Sequence, residues 1–106
     1  MPNESLIVAK IQEIIQQPYG NCYRASEAAY HLLGGKKAGY TPMVARYGGD
    51  SFFHHQTHWW LRRPDGSMLD ITEGQFPHGF PHKLGRGCGF LTKQPSKKAQ
   101  EIIDAI

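Results

Sequence analysis

Apolar positions along the chain follow two different periods. Ile7, Ile11, Ile14 and Ile15 recur at three- and four-residue spacing, the signature of a helix with one buried face. The predicted helix runs from about residue 4 to residue 17, capped by Asn3 and stopped by Pro18. A linker, Pro18-Tyr19-Gly20-Asn21, leads to a second helix that opens at Cys22. Asn21 is of N-cap type, and Ala25, Ala28, Ala29, Leu32 and Leu33 make an apolar stripe. Gly34-Gly35 supplies a left-handed stop.

Beyond this point the period becomes two. Strands are predicted at residues 40–47, entered through Pro42, at 57–63 and at 67–72, with a loop over 48–56. Pro64-Asp65-Gly66 is a turn whose glycine suits positive φ. A long loop reaches about Gly87 and contains the echo Phe76-Pro77-His78-Gly79-Phe80-Pro81-His82. A short strand over 88–92 follows. Ser96 then caps a last helix with the stripe Ala99, Ile102, Ile103 and Ile106. This order predicts an α+β domain spanning 1–106, an antiparallel sheet packed on N-terminal helices with a helix at the C-terminal end.

The hairpin register carries chemical weight. A three-residue turn at 64–66 pairs Arg63 with Ser67, Leu61 with Leu69 and Trp60 with Asp70. One face then holds Trp59, Leu61, Leu69 and Ile71, a core face; the other, more polar face holds His58, Trp60 and Asp70. His58 and Asp70 become diagonal neighbours about 7–8 Å apart along the backbone. A two-residue turn would break the apolar face and separate them.

With 106 residues, 40% of them hydrophobic, the chain supports one core and no second domain. Its apolar runs are far shorter than the about 20 residues of a membrane span. No leader pattern is visible, so the expected compartment is the cytoplasm. A net charge of +3 arises from scattered pairs such as Lys36-Lys37, Arg62-Arg63 and Lys97-Lys98. These read as solvated surface, and nucleic-acid binding is not signalled. Cys22 and Cys88 are too few for a disulfide scaffold and are expected as free thiols. A bridge between them would require export.

An aspartate that meets a histidine fixes its tautomer and favours the imidazolium. Cys22, at a helix start, sits where backbone N–H groups and the helix dipole favour a thiolate. Asn21-Cys22-Tyr23, Thr57-His58-Trp59-Trp60 and Leu69-Asp70-Ile71-Thr72 together resemble the transglutaminase-like branch of papain-like cysteine enzymes. The resemblance covers about residues 20–72. It implies Cys22 as nucleophile, His58 as general base and acid, and Asp70 as orienter. It departs from the family at Ile71, where a proline is usual. Gln16, six residues before Cys22, holds the spacing of a papain-type oxyanion donor, and Gln17 is beside it. Gln16, Gln17, Asn21 and Trp60 are the candidates for oxyanion and substrate contacts, with Trp60 also placed to shield the site.

The expected activity is therefore acyl transfer on a protein or peptide, hydrolysis or deamidation more than cross-linking, without cofactor or metal. Two alternatives stand beside it. One is a non-catalytic binding or inhibitory module, of the kind encoded by phages or mobile elements. The other is a zinc-binding domain, because the chain has six histidines, among them His54, His55, His58, His78 and His82. Against zinc, no C-x-x-C occurs and no helix is predicted beneath either histidine group. Gly85-x-Gly87-x-Gly89 lacks the spacing of a phosphate loop and reads as loop sequence over a cleft.

Overall fold

Asn3 Oδ1 accepts the Leu6 N–H at 3.1 Å, and helix α1 (Glu4–Ile15) begins where the pattern places it. The computed structural model describes residues 3–17, 20–47, 56–76 and 82–106. The loop over 48–55, with His54 and His55, and the segment with His78 lie outside the described residues. Helix α1 ends two residues short of the expected 17. Gln16 turns to φ 64 while its N–H bonds to the Gln12 carbonyl. Pro18 explains the early stop, because a residue before proline is pushed out of the helical region.

Helix α2 (Cys22–Leu32) buries Ala25, Ser26, Glu27, Ala28 and Ala29. Asn21 is its flanking residue but its side chain makes no cap bond. Its Nδ2 donates to the Gln17 carbonyl at 2.8 Å, and its Oδ1 accepts from Arg24 Nε at 2.6 Å. Gly34, at φ 100, takes the left-handed stop, and a single 3-10 turn over Gly35–Ala38 follows.

The sheet is antiparallel and four-stranded: β1 (Thr41–Tyr47), β2 (Gln56–Arg62), β3 (Met68–Leu69) and β4 (Arg86–Gly87), in the order β3-β2-β1-β4. The hairpin has the predicted register, with Leu61 opposite Leu69. Arg63 N–H bonds to Ser67 O at 2.7 Å, and Gly66 sits at φ 89.

Two strands differ from expectation. β3 stops at Leu69 instead of reaching 72, because Asp70 Oδ1 accepts the Thr72 N–H at 3.2 Å. That local bond turns the backbone away from the ladder, into a 3-10 turn over Glu73–Gln75. β4 lies at 86–87 instead of 88–92, with Gly87 opposite Met43 and Arg86 opposite Val44. Farther on, the Leu91 N–H is drawn to Tyr23 Oη at 2.8 Å and away from strand pairing.

Helix α3 (Lys97–Ala105) is capped as expected, Ser96 Oγ accepting the Ala99 N–H at 3.3 Å. It buries Ala99 and Ile102 against α2, while Ile106 stays exposed. The core is a single cluster between helices and sheet that includes Ile11, Ala28, Leu61, Leu69, Ala99 and Ile102. Each buried Leu or Ile side chain contributes about 1.5–3 kcal/mol. Trp59, expected in this core, is only half-buried and packs on Tyr23 and Phe90 at ring distances of 4.9 and 5.4 Å. Among the described residues no helix is long and apolar enough to cross a membrane.

Candidate active site

Cys22 is the first residue of α2 and is half-buried. Its Sγ lies 3.7 Å from the Thr57 carbonyl, a donor–acceptor distance suited to sulfur. His58 follows Thr57 in β2 and is fully buried. Its Nε2 meets Asp70 Oδ2 at 2.6 Å, a length typical of a charge-assisted bond. The Leu61–Leu69 register brings these two groups to one face. Cys22 also acts on this imidazole, favouring its cation together with Asp70. His58 and Asp70, 12 positions apart in the sequence, are thus paired directly, and the Cys22 thiol reaches the backbone of the residue before His58. Cys88 is an exposed free thiol, and Cys22 is free as well.

Burial disfavours the His58 cation, but hydrogen bonds and charge from Asp70 and Cys22 outweigh it. Together they raise the imidazole from 6.5 to about 9. A carboxylate accepts only, so Nε2 carries the proton in that bond.

The more polar face of the hairpin is covered. Trp60 stacks on His58 with ring centroids 5.6 Å apart at 26°, and Phe76 presents an edge at 4.7 Å. Trp60 is itself buried, so its place is beneath the imidazole, consistent with shielding. Gln16 and Gln17 are exposed and share a cleft of about 230 Å³ with Gln12, Ile15, Ile71 and Gly74. This places them beside the residue that follows Asp70. Asn21 is buried just before Cys22, and its side chain leaves the first-turn N–H groups of α2 without a side-chain cap. A second cleft, about 300 Å³, is lined by Val44, Thr57, Trp59, Leu84, Arg86 and Cys88 among others. Of its lining residues, Thr57 is the one whose carbonyl is the partner of the Cys22 thiol.

Sequence reasoning placed His82 only among the candidate zinc ligands and not beside Asp70. His82 Nε2 also lies 2.6 Å from Asp70 Oδ2. Its sequence signals, the histidine count and the Phe-Pro-His echo, have no period tying it to the hairpin. His58, Asp70 and His82 are groups that hold transition metals, and their ligand atoms lie within 4.8 Å of one another. Ligands about 2.0–2.1 Å from a tetrahedral zinc ion stand roughly 3.3 Å apart. At 2.6 Å both contacts have hydrogen-bond length instead. Compared with family models, with curated proteins and with solved structures, the chain matches none.

Proposed function

We propose that this chain is a small cysteine-dependent acyl-transfer enzyme of transglutaminase-like type, acting on an amide of a protein or peptide. The reading rests on one observation above all. A fully buried His58–Asp70 pair at 2.6 Å stands next in the strand to Thr57, whose carbonyl is the partner of the Cys22 thiol at a helix start.

In this reading the Cys22 thiolate adds to the amide carbonyl carbon while His58 holds the proton taken from sulfur. First-turn N–H groups of α2 face the developing oxyanion. The C–N bond then breaks, the electron pair leaves with nitrogen, and His58 supplies the proton that completes the amine or ammonia. Water next gives a proton to His58 and attacks the thioester, releasing the carboxylic acid and the thiol. Asp70 keeps the imidazole in the productive tautomer throughout. The cleft at Thr57, with apolar walls and Arg86, receives the substrate. Hydrolysis or deamidation is preferred over cross-linking, which must also order an amine acceptor.

The test is iodoacetamide labelling followed by peptide mass spectrometry, at a pH well below the ordinary thiol value of about 8.5. Cys22 is expected to react much faster than Cys88, and His58→Ala is expected to abolish the difference. Slow, equal labelling of both thiols in the unsubstituted protein would leave a non-catalytic binding module as the better account.

A further inference from the structure

Asp70 is held from more sides than a Cys-His-Asp arrangement requires. Its Oδ2 takes both His58 Nε2 and His82 Nε2, each at 2.6 Å, and its Oδ1 takes the Thr72 N–H at 3.2 Å. A carboxylate oxygen has two acceptor sites, so two imidazole N–H donors fill Oδ2. Rotating the carboxylate would then break three hydrogen bonds together.

The segment that delivers His82 is fixed independently. His82 opens a 3-10 turn (His82–Leu84), and Gly85 follows directly against the Trp60 ring. A Cβ at Gly85 would stand 2.3 Å from two Trp60 ring atoms, so this approach requires glycine. Arg86 and Gly87 then pair with β1. Trp60 lies under both imidazoles, stacked with His58 and edge-on to His82 at 4.8 Å and 88°. The His82 side chain keeps 20% exposure where those of His58 and Asp70 have none.

We propose that His82 is a fourth member of the site, a positioning residue that pins the Asp70 carboxylate so that His58 stays aimed at Cys22. The inference rests on the acyl-transfer reading above, yet its test can fail separately. The Cys22 labelling rate is measured in His82→Ala and His82→Gln, together with proton NMR of the imidazole N–H groups. His82→Ala is expected to slow Cys22 labelling roughly ten- to hundredfold, the scale of a misplaced catalytic group. His82→Gln, whose amide N–H can reach the same oxygen, is expected to restore most of the rate.

The unsubstituted protein should show two strongly deshielded imidazole N–H protons. His82→Gln should remove one and keep the other, and Asp70→Asn should remove both. The NMR arm needs no activity, so it stands even if an alanine variant folds poorly. Fast Cys22 labelling that is indifferent to both His82 substitutions would overturn this inference and leave the acyl-transfer reading intact. Slow labelling in the unsubstituted protein would remove the reading itself. Stoichiometric Zn²⁺ binding that abolishes both N–H signals would also overturn it, since the cluster would then be a metal site.

Discussion

Glu27 and Ser96 are joined by two hydrogen bonds across 69 positions of sequence. Ser96 N–H donates to Glu27 Oε2 at 2.9 Å and Ser96 Oγ donates to Oε1 at 2.6 Å. Glu27 is fully buried in α2. Ser96 Oγ also accepts the Ala99 N–H and so starts α3. One serine therefore satisfies a buried carboxylate and caps a helix, which ties the last helix to the one that carries Cys22.

Ser96→Ala should cost about 2–3 kcal/mol, from a lost cap of about 1 kcal/mol and a lost charge-assisted donor. In a double-mutant cycle followed by urea denaturation, Glu27→Gln should then cost less than it does with Ser96 present. A coupling of about 1 kcal/mol or more is expected for directly bonded groups. Strictly additive losses would mean that the two residues act independently.

His58 makes stability depend on pH in a known direction. Its value is raised from 6.5 to about 9 on folding, so the folded state binds the proton more tightly than the unfolded chain. The stabilisation is fully present below 6.5 and is lost as pH rises through about 9. At about 1.4 kcal/mol per unit it amounts to at most about 3–4 kcal/mol. Denaturation free energies across this window should fall for the unsubstituted protein and flatten for Asp70→Asn. NMR titration of His58 should give a midpoint near 9. A midpoint at the ordinary histidine value would contradict the assigned Asp70 and Cys22 contacts.

Leu61 is a test of fold without chemistry. It is fully buried opposite Leu69, and Leu61→Ala should cost about 2–5 kcal/mol by leaving a cavity. At temperatures where the variant stays folded, Cys22 labelling should be nearly unchanged, since Leu61 touches the helix side of the sheet. Asp70→Asn should show the opposite profile, with slower labelling. Equal effects of both substitutions on labelling would show that the assay reads stability alone.

Gly85 and Gly87 separate close packing from general loop tolerance. Gly85→Ala should cost about 1–3 kcal/mol by overpacking against Trp60, and should slow Cys22 labelling by displacing His82. A Cβ at Gly87 meets Thr41 Cγ2 at 3.5 Å, an ordinary contact. Gly87→Ala should therefore stay within about 0.5 kcal/mol. Matching thermal shifts for the two variants would argue against the Trp60 contact.

Much of the helical and hairpin architecture was legible because it is periodic and local. The isoleucine stripe, the Asn3 and Ser96 caps, the Gly34 stop and the Pro64-Asp65-Gly66 turn each act within a few residues of themselves. The Leu61–Leu69 register followed from keeping one face apolar, and it carried His58 to Asp70. Element ends were less legible. Gln16 leaves α1 because of a proline beyond it, and Asp70 ends β3 by bonding to Thr72.

The sequence alone determined the α+β order, the hairpin register and the pairing of one histidine with one aspartate, since all three follow from short-range period and turn chemistry. Only the tertiary structure decided that the Cys22 thiol reaches the strand beside that histidine, that Trp60 and Phe76 cover the His58 ring, and that His82 joins Asp70. These contacts link segments with no common period. They depend on how helix α2 and the loop before β4 pack on the sheet, where shape and buried hydrogen bonds rather than spacing select the partner.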